Sequence, residues 1–429
     1  MTPRILLVQP PVYDFTAYDY WLKPFGLLSV AGQLRGRAEM TLFDFLDRSH
    51  SQMDPAGVLR KDRWGRGAYR EVQLGVPNEL RDIQRRFKRF GLPVETFRSF
   101  LRQREPFDVV LIQTGMTYWY LGVDEVLREI QERNPRTTTV LGGPYASLCM
   151  EHARARGADL VVEGSDLGSL WTLLGMEGGE EEPPLWEAYE TIDTGVLRLI
   201  RGCPFRCTYC ASHRLYPSVG VERWDRNLAA LDKLIGLGCE QLVFYDDALL
   251  YKAQEVLIPF LEEAKPRLGS CRIHTPNAVH ARWVTEEAAH SLVSASLGFV
   301  YLGLENVSPG WQESTGDKVS PEEFLSAVEA FRSAGLPASR ITAYVLLGHP
   351  DDPGEGTEET LRFAHKAGIR SMLAEFSPIP GTPDGDRCGR WADMSEPLHH
   401  NKTAFVLRRL GKDKVNELKT LCRTNNESL

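Results

Sequence analysis

Short apolar runs separated by amphipathic stretches organise the first part of the chain. Five runs have the length and the Val, Ile and Leu content of buried strands, at residues 5–8, 41–45, 109–112, 138–141 and 160–162. Apolar residues at helical spacing lie between them, at 26–34, 122–133 and 147–156. Buried strands that alternate with helices predict a parallel, doubly wound sheet. Ligands of such sheets bind beyond the carboxyl ends of the strands, which makes the residues after each run candidate binding residues.

The same alternation returns in the second part of the chain. Strand-like runs lie at residues 196–200, 241–245, 271–274, 299–302, 341–347 and 371–376. Helical spacing is found between them at 222–237, 253–265, 286–297, 321–334 and 355–366. Six β/α units predict a partial TIM-type barrel that is open on one side.

These patterns set the expected domain limits. We expect an α/β protein with a Rossmann-like (flavodoxin-type) parallel sheet over residues 1–175 and a partial (β/α)6 barrel over 196–385. A linker that is rich in Glu, Gly and Pro is expected at 176–195, and a short helical C-terminal extension at 386–429. Adjacent histidines in that extension, His399 and His400, point apart on a helix and are expected to be structural.

One segment of the first domain does not follow the alternation of strand-like and helical patterns. Residues 48–104 are rich in Arg and aromatic residues, and the stretch 81–89 is strongly basic. The pattern favours an amphipathic helical insertion with a solvated basic face. A surface that grips an acidic substrate is the alternative interpretation.

Composition narrows the class of protein. With 429 residues, 42% hydrophobic and 25% charged, the chain has material for two packed domains. A net charge of −8 argues against nucleic-acid binding by bulk charge. No apolar run is long enough to span a bilayer, and the sequence reads from Met1 directly into a strand, so a cytoplasmic protein is expected.

Three cysteines follow the first strand of the predicted barrel within one short loop. Cys203, Cys207 and Cys210 have the spacing C-x3-C-x2-C, whereas the next cysteine, Cys239, lies beyond a predicted helix. Eight cysteines in this chain do not predict a disulfide framework. A zinc site completed by His213 is possible on spacing. Three thiolates with an open fourth position favour a cubane iron–sulfur cluster that has one iron left for another ligand.

The loop resembles the signature of the radical SAM superfamily, in which an aromatic residue, here Tyr209, precedes the last cysteine. The resemblance implies that Cys203, Cys207 and Cys210 carry a [4Fe-4S] cluster. It also implies that S-adenosyl-L-methionine (SAM) binds the fourth iron and is cleaved to a 5′-deoxyadenosyl radical. Tyr209 is expected to contact SAM, and further SAM-binding residues are expected at the carboxyl ends of the barrel strands. Asp246 and Asp247 would hold the SAM amino group, and Glu305 the ribose or methionine end, with Gly348 and Pro380 passing close to adenine.

The first domain is similar to the cobalamin-binding domain that precedes many radical SAM domains. Eight residues at the strand ends carry the prediction of a cobalamin site: Pro10, Pro11, Thr114, Gly115, Gly142, Gly143, Glu163 and Gly164. The Asp-x-His-x-x-Gly motif of other cobalamin proteins is absent, and this half of the sequence contains only His50 and His152. The resemblance therefore implies cobalamin bound with no histidine on cobalt, or a domain that has lost cobalamin.

Together these resemblances imply an enzyme that methylates an unactivated carbon or phosphorus of a small-molecule or peptide substrate. In such enzymes the radical removes a substrate hydrogen and methylcobalamin delivers the methyl group. A one-electron reductant such as flavodoxin or ferredoxin is the expected partner. The alternatives are a radical SAM cyclase or rearrangement enzyme, and a non-catalytic iron–sulfur or zinc-binding protein.

Overall fold

The computed structural model describes residues 2–429, which divide into two compact units. The first unit contains the chain up to Asp193, with Gly236–Gly238 and Ser395–Asn401. The second contains Thr194–Ile235, Cys239–Met394 and Lys402–Leu429. No helix in the described part of the chain combines the length and apolarity that a membrane crossing requires.

A five-stranded parallel sheet forms the centre of the first unit. The strands of this unit are β1 (Arg4–Gln9), β2 (Val12–Asp14), β3 (Glu39–Asp44), β4 (Glu71–Leu74), β5 (Phe87–Phe90), β6 (Val109–Gln113), β7 (Thr138–Gly142) and β8 (Leu160–Val161). The parallel sheet has the order β3-β1-β6-β7-β8, with Ile5 opposite Val109. This is the flavodoxin-type strand order, and the predicted Rossmann-like fold is confirmed. Both faces are covered, because all of Ile5–Val8 are fully buried.

Six helices accompany these strands: α1 (Phe25–Gly32), α2 (Val94–Arg102), α3 (Tyr120–Arg133), α4 (Pro144–Leu148), α5 (Met150–Arg154) and α6 (Gly168–Leu174). The helix expected at residues 147–156 is interrupted at Cys149 (φ −129°), which separates α4 from α5.

The expected helical insertion contributes two strands to a small antiparallel sheet and one α-helix, and most of it is neither helix nor strand. The strands of this sheet are ordered β2-β5-β4, and α2 is the α-helix of this segment. The basic stretch at 81–89 does not present one solvated helical face, because Phe87 and Arg89 are buried at strand spacing. The Arg89 guanidinium donates hydrogen bonds of 2.8 and 2.6 Å to Glu125. Burial of that ion pair selects an extended backbone over the helix that the charge pattern suggested.

A six-stranded parallel sheet forms the second unit. Its strands, with a short hairpin pair, are β9 (Thr194–Leu197), β10 (Ile200–Arg201), β11 (Gly220–Val221), β12 (Gln241–Phe244), β13 (Arg272–His280), β14 (Leu297–Glu305), β15 (Ile341–Leu347) and β16 (Arg370–Glu375). The order is β16-β15-β14-β13-β12-β9, so strands that are consecutive in the sheet are also consecutive among its β/α units. The predicted partial (β/α)6 barrel is confirmed.

Ten helices belong to this half of the chain: α7 (Ser212–Leu215), α8 (Trp224–Gly236), α9 (Leu257–Leu268), α10 (Glu286–Ser294), α11 (Pro309–Thr315), α12 (Pro321–Ser333), α13 (Glu355–Lys366), α14 (Pro383–Asp386), α15 (Lys402–Leu410) and α16 (Lys412–Glu427). A local signal explains the start of some of them. In α12, Ser320 and Glu323 form a reciprocal capping box and Pro321 occupies the first turn.

Two segments pack differently from the expected domain limits. Residues 176–193 lie in the first unit instead of forming a separate linker, because Trp186 is fully buried and Leu185 donates a backbone hydrogen bond to Leu28. The C-terminal extension is divided. Helices α15 and α16 bury Val406 and Leu418 against β15 and α13, whereas Ser395–Asn401 belong to the first unit.

Candidate functional site

The cysteine loop of the second unit is closed at its base by a short antiparallel ladder. Ile200 and Arg201 pair with Val221 and Gly220, so the chain between β10 and β11 forms an excursion from the barrel. Gly202 begins the loop with φ +79°, a conformation that favours glycine. A Cβ at this position would lie only 3.0 Å from the Ser218 carbonyl oxygen.

The three thiols of the loop are free and shielded from solvent. Cys207 is buried and Cys203 and Cys210 are half-buried. Burial raises the pKa of Cys203 to about 11 and that of Cys210 to about 12, while the nearby ammonium of Lys318 opposes the rise. The buried Lys318 therefore favours the thiolate forms that a metal requires.

The geometry of the loop distinguishes between the two metal interpretations. A tetrahedral zinc with bonds of about 2.3 Å needs ligand atoms roughly 4 Å apart. Within residues 2–429, the three thiols and His213 do not form a group whose ligand atoms all lie within 4.8 Å of one another. A cubane, whose irons are bound at separate corners, needs more widely spaced sulfurs and fits this donor set better.

A histidine that the sequence analysis gave no role lies against the loop. His280, the last residue of β13, is buried, and its Nε2 is 3.5 Å from Cys203 Sγ. Burial and then Lys318 lower the pKa of His280 to about 2. The strand predicted at 271–274 ends six residues before His280, and no sequence signal linked His280 to a cysteine 77 residues away.

The paired aspartates after β12 contact the protein in two different ways. Asp246 Oδ1 accepts backbone hydrogen bonds from Leu199 (2.8 Å) and Ile200 (2.5 Å), which fixes the chain entering the cysteine loop. Its Oδ2 is buried and has no hydrogen-bond partner among the described residues. Burial raises the pKa of Asp246 to about 7. Asp247 accepts a 2.6 Å hydrogen bond from Ser212, directly after the loop, and burial raises its pKa too.

Glu305 forms a buried ion pair at the end of β14. Its Oε1 is 2.7 Å from Lys318 Nζ. Gly303 provides the space for that lysine, because a Cβ there would lie 2.4 Å from Nζ. Glu305 itself adopts φ +61°, which is unusual for a residue with a side chain and is found preferentially at functional sites.

A hydrogen-bond network anchors the middle of the loop. Asp384 Oδ2 accepts from Thr208 Oγ1 (2.5 Å) and is 3.0 Å from His349 Nε2, while Oδ1 accepts from Arg387 (2.5 Å). Burial raises the pKa of Asp384, but these donors outweigh it and hold the pKa below its usual value. His349 Nδ1 accepts from Trp311, so both ring nitrogens are engaged. The network stabilises the loop, and no motif in the sequence indicated it.

Three other predicted SAM residues lie in packed surroundings of the second unit. Tyr209 stacks on Trp311 with ring centroids 5.7 Å apart. Gly348 has φ +84°, and a Cβ there would be 2.7 Å from Val406 of α15, so packing alone accounts for a glycine. Pro380 is half-buried in the turn before Gly381. Their contacts with SAM remain predictions.

The carboxyl edge of the first sheet is built around two adjacent glycines with different surroundings. Gly143 has φ +114°, and a Cβ there would be 2.4 Å from the carbonyl oxygen of Thr114. At Gly142 the nearest atom to a Cβ would be 4.0 Å away, on Val162. Gly143 is therefore required by the fold, whereas Gly142 leaves room at the surface of the edge. A Cβ on Gly115 would lie 3.0 Å from the ring of Trp119.

The remaining predicted cobalamin residues lie along the same edge. Pro10 and Pro11 are buried after β1, and Glu163 and Gly164 are exposed after β8. The Gly164 amide donates a 2.8 Å hydrogen bond to Ser147. Gln9, the last residue of β1, buries an Oε1 that has no hydrogen-bond partner in the described part of the chain. Space at Gly142 and an unpaired polar atom at Gln9 fit a ligand held mainly by backbone and neutral groups.

The histidines of the first unit are engaged with protein groups. His50 Nδ1 accepts from the Gln52 amide, and His152 Nδ1 is 2.6 Å from the Tyr145 hydroxyl. The C-terminal segment adds His399 and His400, which the sequence did not assign to this unit. His400 is fully buried, with Nδ1 3.0 Å from Thr117 Oγ1, and His399 Nε2 is 3.2 Å from the Glu79 carbonyl oxygen.

Comparison of the sequence with known families and proteins identifies a family model that matches the second unit, and relatives of the chain. Residues 197–364 match the family model of the radical SAM superfamily. An uncharacterized methyltransferase of Pyrococcus horikoshii is 29% identical over 198 residues, which are 44% of this chain and 40% of that protein. A tRNA-2-methylthio-N6-dimethylallyladenosine synthase of Corynebacterium diphtheriae is 25% identical over 302 residues, covering 61% of this chain and 56% of that protein. The chain thus spans about half the length of these relatives.

Two solved structures share the fold of both units. The radical SAM methyltransferase TsrM from Kitasatospora setae, with cobalamin and a [4Fe-4S] cluster bound, matches with a TM-score of 0.66 at 16% identity, covering 98% of this chain and 91% of TsrM. The cobalamin-dependent SAM radical enzyme OxsB, with aqua-cobalamin and SAM bound, matches with a TM-score of 0.56 at 14% identity, covering 98% of this chain and 61% of OxsB.

Proposed function

We propose that this chain, in which residues 197–364 form a radical SAM domain, is a cobalamin-dependent radical SAM enzyme that methylates an unactivated carbon of a small-molecule or peptide substrate. The observation that carries the proposal is the C-x3-C-x2-C loop, which presents three shielded thiols and no fourth cysteine. The names of the methyltransferase relative and of TsrM support the choice of methyl transfer.

In this proposal Cys203, Cys207 and Cys210 hold a [4Fe-4S] cluster, and the cluster leaves one iron for SAM. When bound, the cluster and SAM supply a 5′-deoxyadenosyl radical, and cobalamin supplies a methyl carrier. The protein contributes position and shielding. Lys318 places a buried positive charge near the thiolates, and the Asp384 network fixes Thr208 in the middle of the loop.

The SAM ammonium would be held by carboxylates on this face of the barrel. Asp246 Oδ2 is a buried carboxylate oxygen with no hydrogen-bond partner within residues 2–429, so we assign it the first contact. Asp247 already accepts from Ser212, and Glu305 pairs with Lys318. These two carboxylates would therefore orient the site and contact SAM with their remaining oxygen lone pairs.

Cobalamin would bind at the carboxyl edge of the first sheet. Gly142 leaves space for close approach of a large planar ligand, and the exposed Glu163 and Gly164 border the same edge. His50 and His152 have protein partners, which supports binding with no histidine on cobalt.

The proposal also includes the class of substrate, the electron donor and the cellular location. The net charge of −8 supports a substrate other than nucleic acid. A one-electron reductant such as flavodoxin or ferredoxin would supply the electron, and cytoplasmic location would keep the eight thiols reduced.

Anaerobically reconstituted protein tests the proposal. With SAM, a chemical reductant and hydroxocobalamin, we expect 5′-deoxyadenosine by mass spectrometry and saturable cobalamin binding by spectral titration. Stoichiometric zinc without iron would contradict the proposal and identify the chain as a zinc-binding protein. SAM cleavage without cobalamin binding would leave a radical SAM enzyme of the cyclase or rearrangement type.

A further inference from the structure

The side chain of His280 faces a cluster ligand of the proposed site. His280 is 4% exposed, and the distance from its Nε2 to Cys203 Sγ is 3.5 Å. That separation is suitable for an N–H···S hydrogen bond, because sulfur is larger than oxygen. The two residues lie on different elements, so their contact is made by the folded barrel and not by local sequence.

The imidazole is held in a fixed orientation by aromatic neighbours. It stacks on Phe205 with ring centroids 4.3 Å apart and an interplanar angle of 13°. Trp283 packs at 5.2 Å from the same ring, and Phe205 contacts Trp283 at 4.7 Å. Phe205 is itself a residue of the cysteine loop, two positions after Cys203. The stack therefore couples the direction of the Nε2 atom to the position of the loop.

We propose that His280 donates an N–H···S hydrogen bond to Cys203 and thereby raises the reduction potential of the iron–sulfur cluster. The inference rests on the proposed function, in which Cys203 is a cluster ligand. A metal-bound thiolate carries lone pairs and no proton, so the imidazole nitrogen has to be the donor. His280 is thus a positioning and tuning residue and does not bind iron.

The direction of the effect follows from electrostatics. Adding an electron makes the cluster and its thiolates more negative, and a hydrogen bond to an anion strengthens as its charge grows. Hydrogen bonds to the sulfurs are among the factors that set cluster potentials. Removal of the N–H should therefore disfavour the reduced cluster and slow the electron transfer on which SAM cleavage depends.

Two substitutions distinguish the role of His280 as a hydrogen-bond donor from its role as a stacked aromatic ring. His280→Phe keeps an aromatic ring for stacking and removes the N–H, whereas His280→Gln keeps an amide donor near the position of Nε2. His213→Gln is the matched control, since His213 follows the loop in sequence and makes no hydrogen bond to a cysteine within residues 2–429. Reconstituted proteins are compared by iron content and by potentiometric titration monitored by EPR, without SAM.

We expect roughly four irons per chain in all variants. At a fixed potential, His280→Phe should lower the ratio of reduced to oxidised cluster about tenfold, which is about 59 mV for a one-electron couple. His280→Gln should restore most of the ratio, and His213→Gln should match wild type. An unchanged potential in a fully loaded His280→Phe protein would show that the ring only packs.

Wild-type protein labelled with ¹⁵N-histidine provides a second measurement that needs no variant to fold. Pulsed EPR of the reduced wild-type cluster should detect a ¹⁵N coupling, and the absence of that coupling would overturn the inference. If wild-type protein binds no iron, the proposed function falls. If the cluster forms and only the ¹⁵N coupling is missing, the failure is confined to the role of His280.

Discussion

The carboxyl edges of the two parallel sheets differ in the groups that they present. In the barrel, ionisable side chains stand at the strand ends and are tied to one another or to the cysteine loop, as in the pair of Glu305 and Lys318. In the first unit, the corresponding edge is made mainly of glycines, prolines and neutral polar groups such as Gln9 and Thr114, with carboxylates only at Asp44 and Glu163 among the strand-end residues named above. We therefore expect the first kind of edge to bind by charge and metal ligation, and the second by shape and backbone contact. Substitutions should therefore act in different ways in the two units.

The largest effect is expected from removing a thiolate in the barrel. Cys207→Ala should reduce iron from roughly four per chain to near zero, because a site-differentiated cubane has no spare protein ligand. Iron and sulfide analysis after anaerobic reconstitution measures this. Cys239→Ala is the control, since Cys239 is buried near the start of β12, away from the loop in sequence, and should retain iron. Wild-type iron in Cys207→Ala would contradict a three-cysteine site.

The next effect distinguishes the adjacent glycines of the first unit. Gly143→Ala places a Cβ 2.4 Å from the Thr114 carbonyl oxygen in a backbone conformation (φ +114°, ψ −169°) reserved for glycine. We expect a loss of stability of about 3 kcal/mol. Gly142→Ala should be nearly neutral in thermal unfolding, because its nearest neighbour is 4.0 Å away.

The same pair sharpens the prediction of ligand binding. Gly142→Leu should keep the melting temperature close to that of wild type and lower cobalamin affinity at least roughly tenfold in spectral titrations, because the added side chain fills the space at the strand end. SAM cleavage should persist. Equal affinities in Gly142→Leu and wild type would place cobalamin elsewhere.

The contrast between the units also explains what could be predicted from the sequence. Alternating apolar runs predicted both sheets, because buried parallel strands carry a strong local signal. The cysteine spacing predicted the loop because it too is a local pattern in the sequence. Arg89 was misassigned to a helical face because its partner, Glu125, is distant in sequence. The contact of His280 with Cys203 and that of Asn401 with Asp14 depend on the assembled fold, and no local pattern indicates them.

An effect of similar size to that of Gly143→Ala, spread over about three pH units, is expected from the titration of Asp246, measured on protein without added iron. Burial raises its pKa to about 7 in the folded protein, against about 3.9 in an unfolded chain. Between these values the unfolded chain releases a proton that the folded protein keeps, so stability falls as pH rises from 4 to 7. Asp246→Asn keeps an acceptor for Leu199 and Ile200 but does not titrate. Between pH 4 and 7, the free energy of unfolding of the variant should rise relative to that of wild type by on the order of 2–4 kcal/mol. A stability difference that does not change with pH would mean that Asp246 is ionised throughout.

The smallest effect is the corresponding titration at a strand end of the first unit. Asp44 ends β3, and burial raises its pKa to about 6 even though Lys23 opposes the rise. The pH range over which Asp44 lowers the stability of wild type therefore ends about one pH unit below that of Asp246. The difference in free energy of unfolding between Asp44→Asn and wild type should stop growing near pH 6. The expected size is on the order of 2 kcal/mol. Tyr189 donates a 2.6 Å hydrogen bond to Asp44 Oδ2, and Tyr189→Phe serves as a control that removes this bond but leaves the carboxyl. Thermal unfolding of both variants from pH 4 to 8 tests the order of the two pH ranges. If the stability differences of Asp44→Asn and Asp246→Asn from wild type stop growing at the same pH, Lys23 does not lower the pKa of Asp44 below that of Asp246.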